Sequence, residues 1–513
     1  MASLRESYLC HLWLTLIGLY EDSALCRVLD ALGRWCARQI DGSAVLRPLC
    51  REGAVARSWE DSVLCRVLSF LADLPARLLH GLYRAMPAAF EGSVSARLLF
   101  AVGEQTAVAQ SWLIMLLWTI PFTYWNNAYS LLGFSLLLAL FHAGAMRRRD
   151  LRLDVASVGA YPVMLFAAAF LGAVSSYAPA LSQRSLFYHI SSALCVLVTV
   201  SAVRCTEDLK RLAAGGGACV LVSSLYGVYQ RIRGVEVNLS YVDVRVNPGM
   251  PGRVESFFDN PNTFAEILIL LLPLVLALSL CSGRLLGKLA AGGVFAVGLA
   301  ALGMTYSRAS WVGMACAMVV MVTLWRPRLL PLFAALCVLC IPLLPSSIWN
   351  RILSIGNFSD ASTRNRLPTL LTALEMIRSR PVRGIGLGAA VPKLYAADWN
   401  LYHADFPYVH SHNFYLEVWL QTGLLGAVSC VGSLLWGVKR AARTARRCPP
   451  SAARTITCAA AASICGIMVC GLADYPWHYP RVMVIFWFVF AMALAGTKIC
   501  RQEAGAGRPD RGA

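Results

Sequence analysis

From about residue 107 to its end the chain is a succession of apolar runs, each long enough, or nearly so, to cross a bilayer. Nothing else in the sequence constrains the fold as tightly. A hydrocarbon core roughly 30 Å thick takes about 17–25 residues of helix, and inside it every backbone polar group must be satisfied by the segment itself. The runs begin near Ala107, Ala128, Leu153, Phe187, Leu212, Thr263, Leu289, Ser310, Leu329, Asn413, Thr455 and Val482. They predict an all-α, polytopic membrane protein of about twelve transmembrane helices, some of them short. Composition closes the alternatives. The chain is 58% hydrophobic and 14% charged, against roughly 45–50% and 25% for a soluble domain. Disorder needs the opposite balance.

Charge sets the orientation. The net charge is +18, and only five of the 46 basic residues are Lys. Basic residues gather in alternate connections: Arg147-Arg148-Arg149, Arg204 to Arg211, Arg284 with Lys288, Arg326 with Arg328, Lys439 to Arg454, and the tail from Lys498. The short connections between them are nearly bare. By the positive-inside rule this predicts a multi-pass plasma-membrane protein with both termini cytoplasmic. Such a charge pattern does not call for nucleic acid. The apolar run from Leu12 to Tyr20 lacks the basic flank and small-residue cleavage site of a signal peptide. Eighteen Cys are scattered through the chain without a CxxC pair, so they read as small apolar residues.

The sequence divides into a segment 1–105, a transmembrane domain 106–500 and a cytoplasmic tail 501–513. The first segment balances eleven Arg against eleven acids, and it repeats. Glu21-Asp22-Ser23-Ala24-Leu25-Cys26-Arg27-Val28-Leu29 returns as Glu60-Asp61-Ser62-Val63-Leu64-Cys65-Arg66-Val67-Leu68, with looser copies at Glu6-Ser7 and Glu91-Gly92-Ser93. Acid and Ser ahead of an apolar stripe is an N-cap signature. The segment reads as amphipathic helices on the cytoplasmic membrane face or docked on the core.

Two outer segments are long enough to carry function. One runs from about 231 to 262. The other, between helices 9 and 10, spans 345–412. The larger one holds a helix over Leu367 to Ser379, then Pro381 and Gly384, Gly386 and Gly388, which read as a tight turn.

Two constellations in this outer region can carry chemistry. Arg253 precedes Ser256 to Asn262, Arg308 sits between two apolar runs, and Arg364 and Arg366 open the loop helix. Guanidinium groups at membrane depth face polar cavities, and several converging would fork onto phosphate oxygens. The plainer reading is solvated or snorkelling arginines. The second constellation is His403, Asp405, His410 and His412, followed by Asn413 and by Glu417 on the same helical face. A neutral imidazole suits a general base for a hydroxyl. A metal site and a structural histidine cluster are the alternatives, and Glu417 either orients a His or is a satisfied intramembrane acid. Asp474 to Arg481 suits a sugar-contacting rim or an aromatic interface belt, with the belt favoured.

Four stretches taken in order resemble the O-antigen ligase-related family, which includes membrane polysaccharide polymerases. They are Arg253 to Asn262 before an apolar helix, Ser307-Arg308-Ala309-Ser310-Trp311, Arg364 to Gly388, and His412-Asn413-x9-Gly423-x2-Gly426, with a motif core over 250–426. The resemblance implies a C-type glycosyltransferase-like fold and an enzyme that needs no metal, cofactor or nucleotide sugar. It implies transfer of a glycan from an undecaprenyl-diphosphate carrier to a glycan, lipid or protein acceptor hydroxyl on the outer face. His412, Arg308 and Arg364 then correspond to the catalytic residues, with Arg366 a substitute for Arg364. Arg253, Arg366, Asn262, His410, Asn413 and Glu417 are the expected substrate-binding residues. A lipid-linked oligosaccharide or small-solute transporter without bond-forming activity is the alternative.

Overall fold

A computed structural model describes residues 15, 18–24, 26–28, 31, 55, 58–238, 250–343, 345–353, 366–401, 403 and 408–506. The described residues are helical, with no strand among them. In chain order the principal helices are α1 (Val63–Ala85), α2 (Val94–Glu104), α3 (Thr106–Trp118), α4 (Ala128–Arg147), α5 (Ala160–Val174), α6 (Pro179–Ala202), α7 (Thr206–Arg233) and α8 (Pro261–Cys281). They continue with α9 (Leu285–Met304), α10 (Arg308–Trp325), α11 (Leu330–Cys340), α12 (Arg366–Ser379), α13 (Ala390–Asp398), α14 (Phe414–Arg447), α15 (Ala452–Cys470) and α16 (Pro480–Ala506).

Nine of these are long and apolar enough to cross a membrane: α4, α6 to α10 and α14 to α16. The protein is therefore an all-helical, polytopic membrane protein. Three further apolar helices, α3, α5 and the region of α11, are shorter. Two anticipated boundaries move. The run expected from Leu153 is broken at Gly159 (φ +87°), so α5 starts at Ala160. α6 starts eight residues before Phe187, because Pro179 fits a first helical turn and its missing N–H costs nothing there.

Packing sorts the spans by depth. α16 is enclosed on nearly all sides, with 94% of its apolar window buried, whereas α9, at 17%, lies at the rim. Phe486, Trp487 and Phe490 of α16 pack against one another and take Phe166 and Trp436 as neighbours. α10 lies along α15 at backbone contact. A Cβ on Gly313 would meet the Gly466 carbonyl oxygen at 2.7 Å, and one on Gly466 would meet that of Gly313 at 2.8 Å. Small residues permit this approach in lipid, where van der Waals contact drives association.

The described residues between α11 and α14 include three helices. α12 and α13 pack around Met376, Ile385, Val391, Tyr395 and Tyr408, while Ile348 of a short helix (Ser346–Leu353) packs against Met250 and Tyr306. The Gly384–Gly388 turn fixes this cap to the membrane domain. The Ile385 N–H donates to the Leu420 carbonyl at 2.7 Å, and the Leu424 N–H donates to Val382 at 3.2 Å. α14 is kinked there at Gly423 (φ 70°, ψ −171°), a region of backbone space open essentially to glycine alone. A Cβ on Gly384 would in turn strike the Gly423 nitrogen. Gly426 makes no such contact: a Cβ there meets Thr422 of its own helix. Of these two glycines only Gly423 admits a neighbouring segment.

The N-terminal repeats form capped helices. Ser62 and Ser93 accept from the N–H groups of Cys65 and Ala96, and Ser23 does the same for Cys26. The copy at Glu6-Ser7 falls outside the described residues.

Candidate functional site

Three loops converge where α8, α14 and α15 meet. The first carries Arg253 and ends at Asn260, whose side chain caps α8 by accepting from Asn262 and Thr263. The second carries His410 and His412 and ends at Asn413, which caps α14 in the same way through Tyr415 and Leu416. The third leaves α15 and carries Asp474, Tyr475, Trp477 and His478.

Asp474 joins them. Its Oδ1 lies 3.6 Å from His412 Nδ1, longer than a direct hydrogen bond but within ion-pair range. Its Oδ2 accepts from Asn262 Nδ2 at 3.1 Å. The Asn262 side-chain oxygen accepts from Arg253 Nη2, while Arg253 Nε donates to the Thr305 carbonyl at 2.7 Å. A polar chain thus runs Arg253, Asn262, Asp474, His412. His412 Nδ1 has no hydrogen-bond partner among the described residues, and Asp474 is the acid that faces it.

The imidazoles stack closely. His410 lies 4.1 Å from His412 and 4.8 Å from His478, centroid to centroid. The His412 backbone N–H donates to His410 Nδ1 at 3.2 Å, which leaves that nitrogen unprotonated. Burial first, then the neighbouring His412, His478 and Arg366, hold the His410 imidazole well below its ordinary pKa, against the pull of Asp474. His478 is lowered too, again by burial first. Burial works against ionised Asp474, but His412, His410 and Arg366 outweigh it and hold its carboxyl well below the usual carboxylate range. At neutral pH the cluster therefore combines an anionic carboxylate with neutral His410 and His478.

Glu417 is wholly buried beneath the histidine loop. It accepts from the Tyr408 hydroxyl at 2.8 Å, the Ser411 N–H at 2.9 Å and Gln421 at 3.1 Å. Its reach is to the backbone beside His412, not to the imidazole, so it is a satisfied acid that shapes the loop. Asn413 is occupied as a helix cap and through Nδ2 on the Leu472 carbonyl.

The arginines are placed unequally. Arg366, the first residue of α12, acts electrostatically on both His410 and Asp474. Arg364 lies outside the described residues. Arg308 opens α10, and two residues into that helix Ser310 Oγ approaches Cys470 Sγ at 3.8 Å, so the helix start stands beside the end of α15. His403 is elsewhere: its Nε2 is 2.9 Å from Glu375. Asp405 lies outside the described residues.

Backbone strain marks the same places. Five non-glycine residues among those described have positive φ, and four of them (Ser256, Asp259, Tyr306 and His412) fall in the three loops or two residues before Arg308. Each costs about 1–3 kcal/mol and collects where function demands it.

Beside the cluster opens a cavity of about 290 Å³ lined by Asn127, Arg184, His189, Gln421, Tyr475 and His478 among others. Asp474, Tyr475 and Trp477 are buried. That segment is part of the site and not the interface belt favoured from sequence. Asp474 and His478 lie in the stretch for which the belt was preferred to a sugar-contacting rim; the one acid in a loop otherwise rich in aromatics was the available signal. His410, His412 and Asp474 bring three donor atoms within 4.8 Å of one another, a set that two imidazoles and a carboxylate make suitable for a metal ion.

Residues 267–431, about a third of the chain, match the family model described as O-antigen ligase. The match supports an O-antigen ligase-related family and, with it, a membrane glycan-transfer role. It takes in Arg308, Arg366, His410, His412 and Glu417, and stops short of Arg253, Asn262 and Asp474. Comparison with curated proteins gives no match.

Proposed function

Starting from an O-antigen ligase-related domain within a polytopic helical bundle, we propose that this chain is a metal-independent, inverting glycosyltransferase of lipid-linked glycans. The donor is a glycan on undecaprenyl diphosphate and the acceptor is a glycan, lipid or protein hydroxyl. The reaction face is the outer face of the plasma membrane, with both termini in the cytoplasm. The observation that carries this reading is the polar chain from Arg253 through Asn262 and Asp474 to His412.

In this mechanism Asp474 orients His412 through Nδ1 and stabilises its cationic form, leaving Nε2 for the acceptor hydroxyl. The 3.6 Å separation shortens as the proton arrives, as catalytic hydrogen bonds commonly do. The acceptor oxygen attacks the anomeric carbon, the bond from that carbon to the carrier diphosphate breaks, and the hydroxyl proton passes to His412. Single displacement inverts the anomeric centre. Arg308, Arg366 and Arg364 hold the departing diphosphate, whose growing charge they stabilise. The cavity beside His478 accommodates substrate sugar.

The test is turnover by the purified protein with an undecaprenyl-diphosphate-linked glycan and a candidate acceptor. Release of undecaprenyl diphosphate together with glycosylated acceptor is expected. Passage of intact donor across proteoliposomes without any bond formation would replace this reading with transport. Orientation has its own check: Lys210→Cys should resist membrane-impermeant labelling in intact cells.

A further inference from the structure

A second polar cavity lies at the opposite end of α4. That helix starts beside Asn127, on the rim of the first cavity, and runs 20 residues to Arg147. At 1.5 Å per residue this is about 30 Å, the thickness of a bilayer core. Past its end a cavity of about 400 Å³ opens between α1 and the turn after α4, lined by Asp73, Arg77, His80, Arg84, Arg149 and Arg152 among others.

Among the described residues Asp73 is the one carboxylate lining this cavity, against four arginines. Asp73 accepts from the Leu153 N–H at 3.2 Å. The nearby acids are engaged: Asp150 with Arg148 at 2.7 Å and Arg204 at 2.9 Å, Glu104 with Arg147 at 3.3 Å, and Glu91 with the Tyr83 hydroxyl. Among the described residues none of Arg77, Arg84, Arg149 and Arg152 has a carboxylate at ion-pair distance. Arg77 lies over the Phe70 ring instead. Four guanidinium groups around one carboxylate repel each other unless an anion enters between them.

α1 indicates which anion. Its packed face places Leu68, Ala72 and Ala76 on the core. Val63, Val67, Phe70, Leu71, Leu74 and Leu78 are exposed, and their spacing puts them in one stripe. A helix with such a stripe beside arginines lies in the plane of the membrane interface, which sets the arginines at the depth of lipid phosphates.

We propose that this cavity binds the phosphate headgroup of an anionic membrane lipid, fastening α1 to the bilayer face opposite the His412–Asp474 cluster. Guanidinium groups fork onto phosphate oxygens, and each basic residue near an anionic surface strengthens attraction roughly fivefold. The proposal does not depend on the reaction assigned above, and its readout is lipid retention rather than transfer.

The experiment uses the full chain in nanodiscs of phosphatidylcholine with a minor fraction of phosphatidylglycerol, and native mass spectrometry of retained lipid. The wild type should retain phosphatidylglycerol preferentially. The Arg77→Gln/Arg149→Gln/Arg152→Gln variant should lose that preference by at least about tenfold. Arg77→Lys/Arg149→Lys should keep most of it, because the charges remain. Absence of preference in the wild type, an unchanged preference in the glutamine variant, or release of the lipid by equimolar inorganic phosphate would overturn the proposal. Should the glutamine variant fail to fold, salt decides on the wild type: the preference must weaken as ionic strength rises, and a salt-independent preference counts against an anion site.

Discussion

His412 Nδ1 and Asp474 Oδ1 stand 3.6 Å apart although one precedes α14 and the other follows α15. The α14–α15 hairpin returns the chain to the same membrane face, and the Asn413 Nδ2 bond to the Leu472 carbonyl ties the two loops together. A histidine with no other partner on that nitrogen depends on Asp474 for its orientation.

Asp474→Asn should therefore cut turnover by about 100- to 10,000-fold, the usual reach of general-base catalysis. The donor KM should change little, because the carboxylate does not touch the diphosphate in the proposed mechanism. A steady-state transfer assay with near-normal kcat would remove Asp474 from it.

His412→Ala should lose transfer to a similar degree while donor binding persists. His403→Ala should be close to wild type, since His403 pairs with Glu375 outside the cluster. Activity should survive a chelator. If instead His410→Ala, His412→Ala and Asp474→Asn were equally damaging and EDTA abolished turnover, the three would be metal ligands.

Arg366→Ala and Arg308→Ala should each weaken donor use by roughly 10- to 100-fold, as expected for a lost charge-assisted hydrogen bond. Lys should rescue only in part, because a point charge lacks the fork. Arg364→Ala, run in parallel, tells which of the two arginines flanking Asn365 bears the larger share. Unchanged donor KM and kcat in all three would dismiss the arginine clamp.

Gly423→Ala should destabilise the protein by at least about 1–3 kcal/mol, through its backbone angles and the collision of its Cβ with Val382. Gly426→Ala should be milder, since only the Thr422 side chain has to move. Thermal unfolding in detergent checks both. Equal melting temperatures for the two variants would mean that the kink does not hold the cap.

Acid should weaken the fold through His410 and His478. Both have lowered pKa values when folded, so the unfolded chain binds their protons first. Stability is then full above the ordinary imidazole value, roughly 6.5, and falls below it, by at most about 1.4 kcal/mol per pH unit for each group. Asp474 acts in the same direction at lower pH: its lowered pKa contributes stability above the ordinary carboxylate value, roughly 3.9, and that stability is lost as pH falls from there toward the folded value. Melting temperature measured from pH 7.5 to 5.5 should fall, and His410→Asn should flatten the slope. A flat wild-type profile would contradict the burial of these imidazoles.

The spans were legible because lipid imposes a length and polarity on each segment independently of its neighbours. Arg308 and His412 stood out for a related reason: polar groups at the end of an apolar run are costly unless used. Asn413 was less legible, because a helix cap and a ligand-binding amide look alike in sequence and only its bonds to Tyr415 and Leu416 separate them. Asp474 was hidden among aromatics that suit an interface equally well, until their burial showed them turned inward.

The sequence by itself determined a polytopic helical bundle, the order of its motifs and the capped helices of its N-terminal repeats, since each follows from interactions within a few turns of chain. Only the tertiary structure decided that Asp474 and Asn262 complete a chain from Arg253 to His412, that Arg366 bears on the histidines, and that Gly384 closes onto Gly423. Those pairings depend on which helices lie side by side. In lipid that choice is made by close packing of small residues such as Gly313 on Gly466, which leaves no periodic trace in a single sequence.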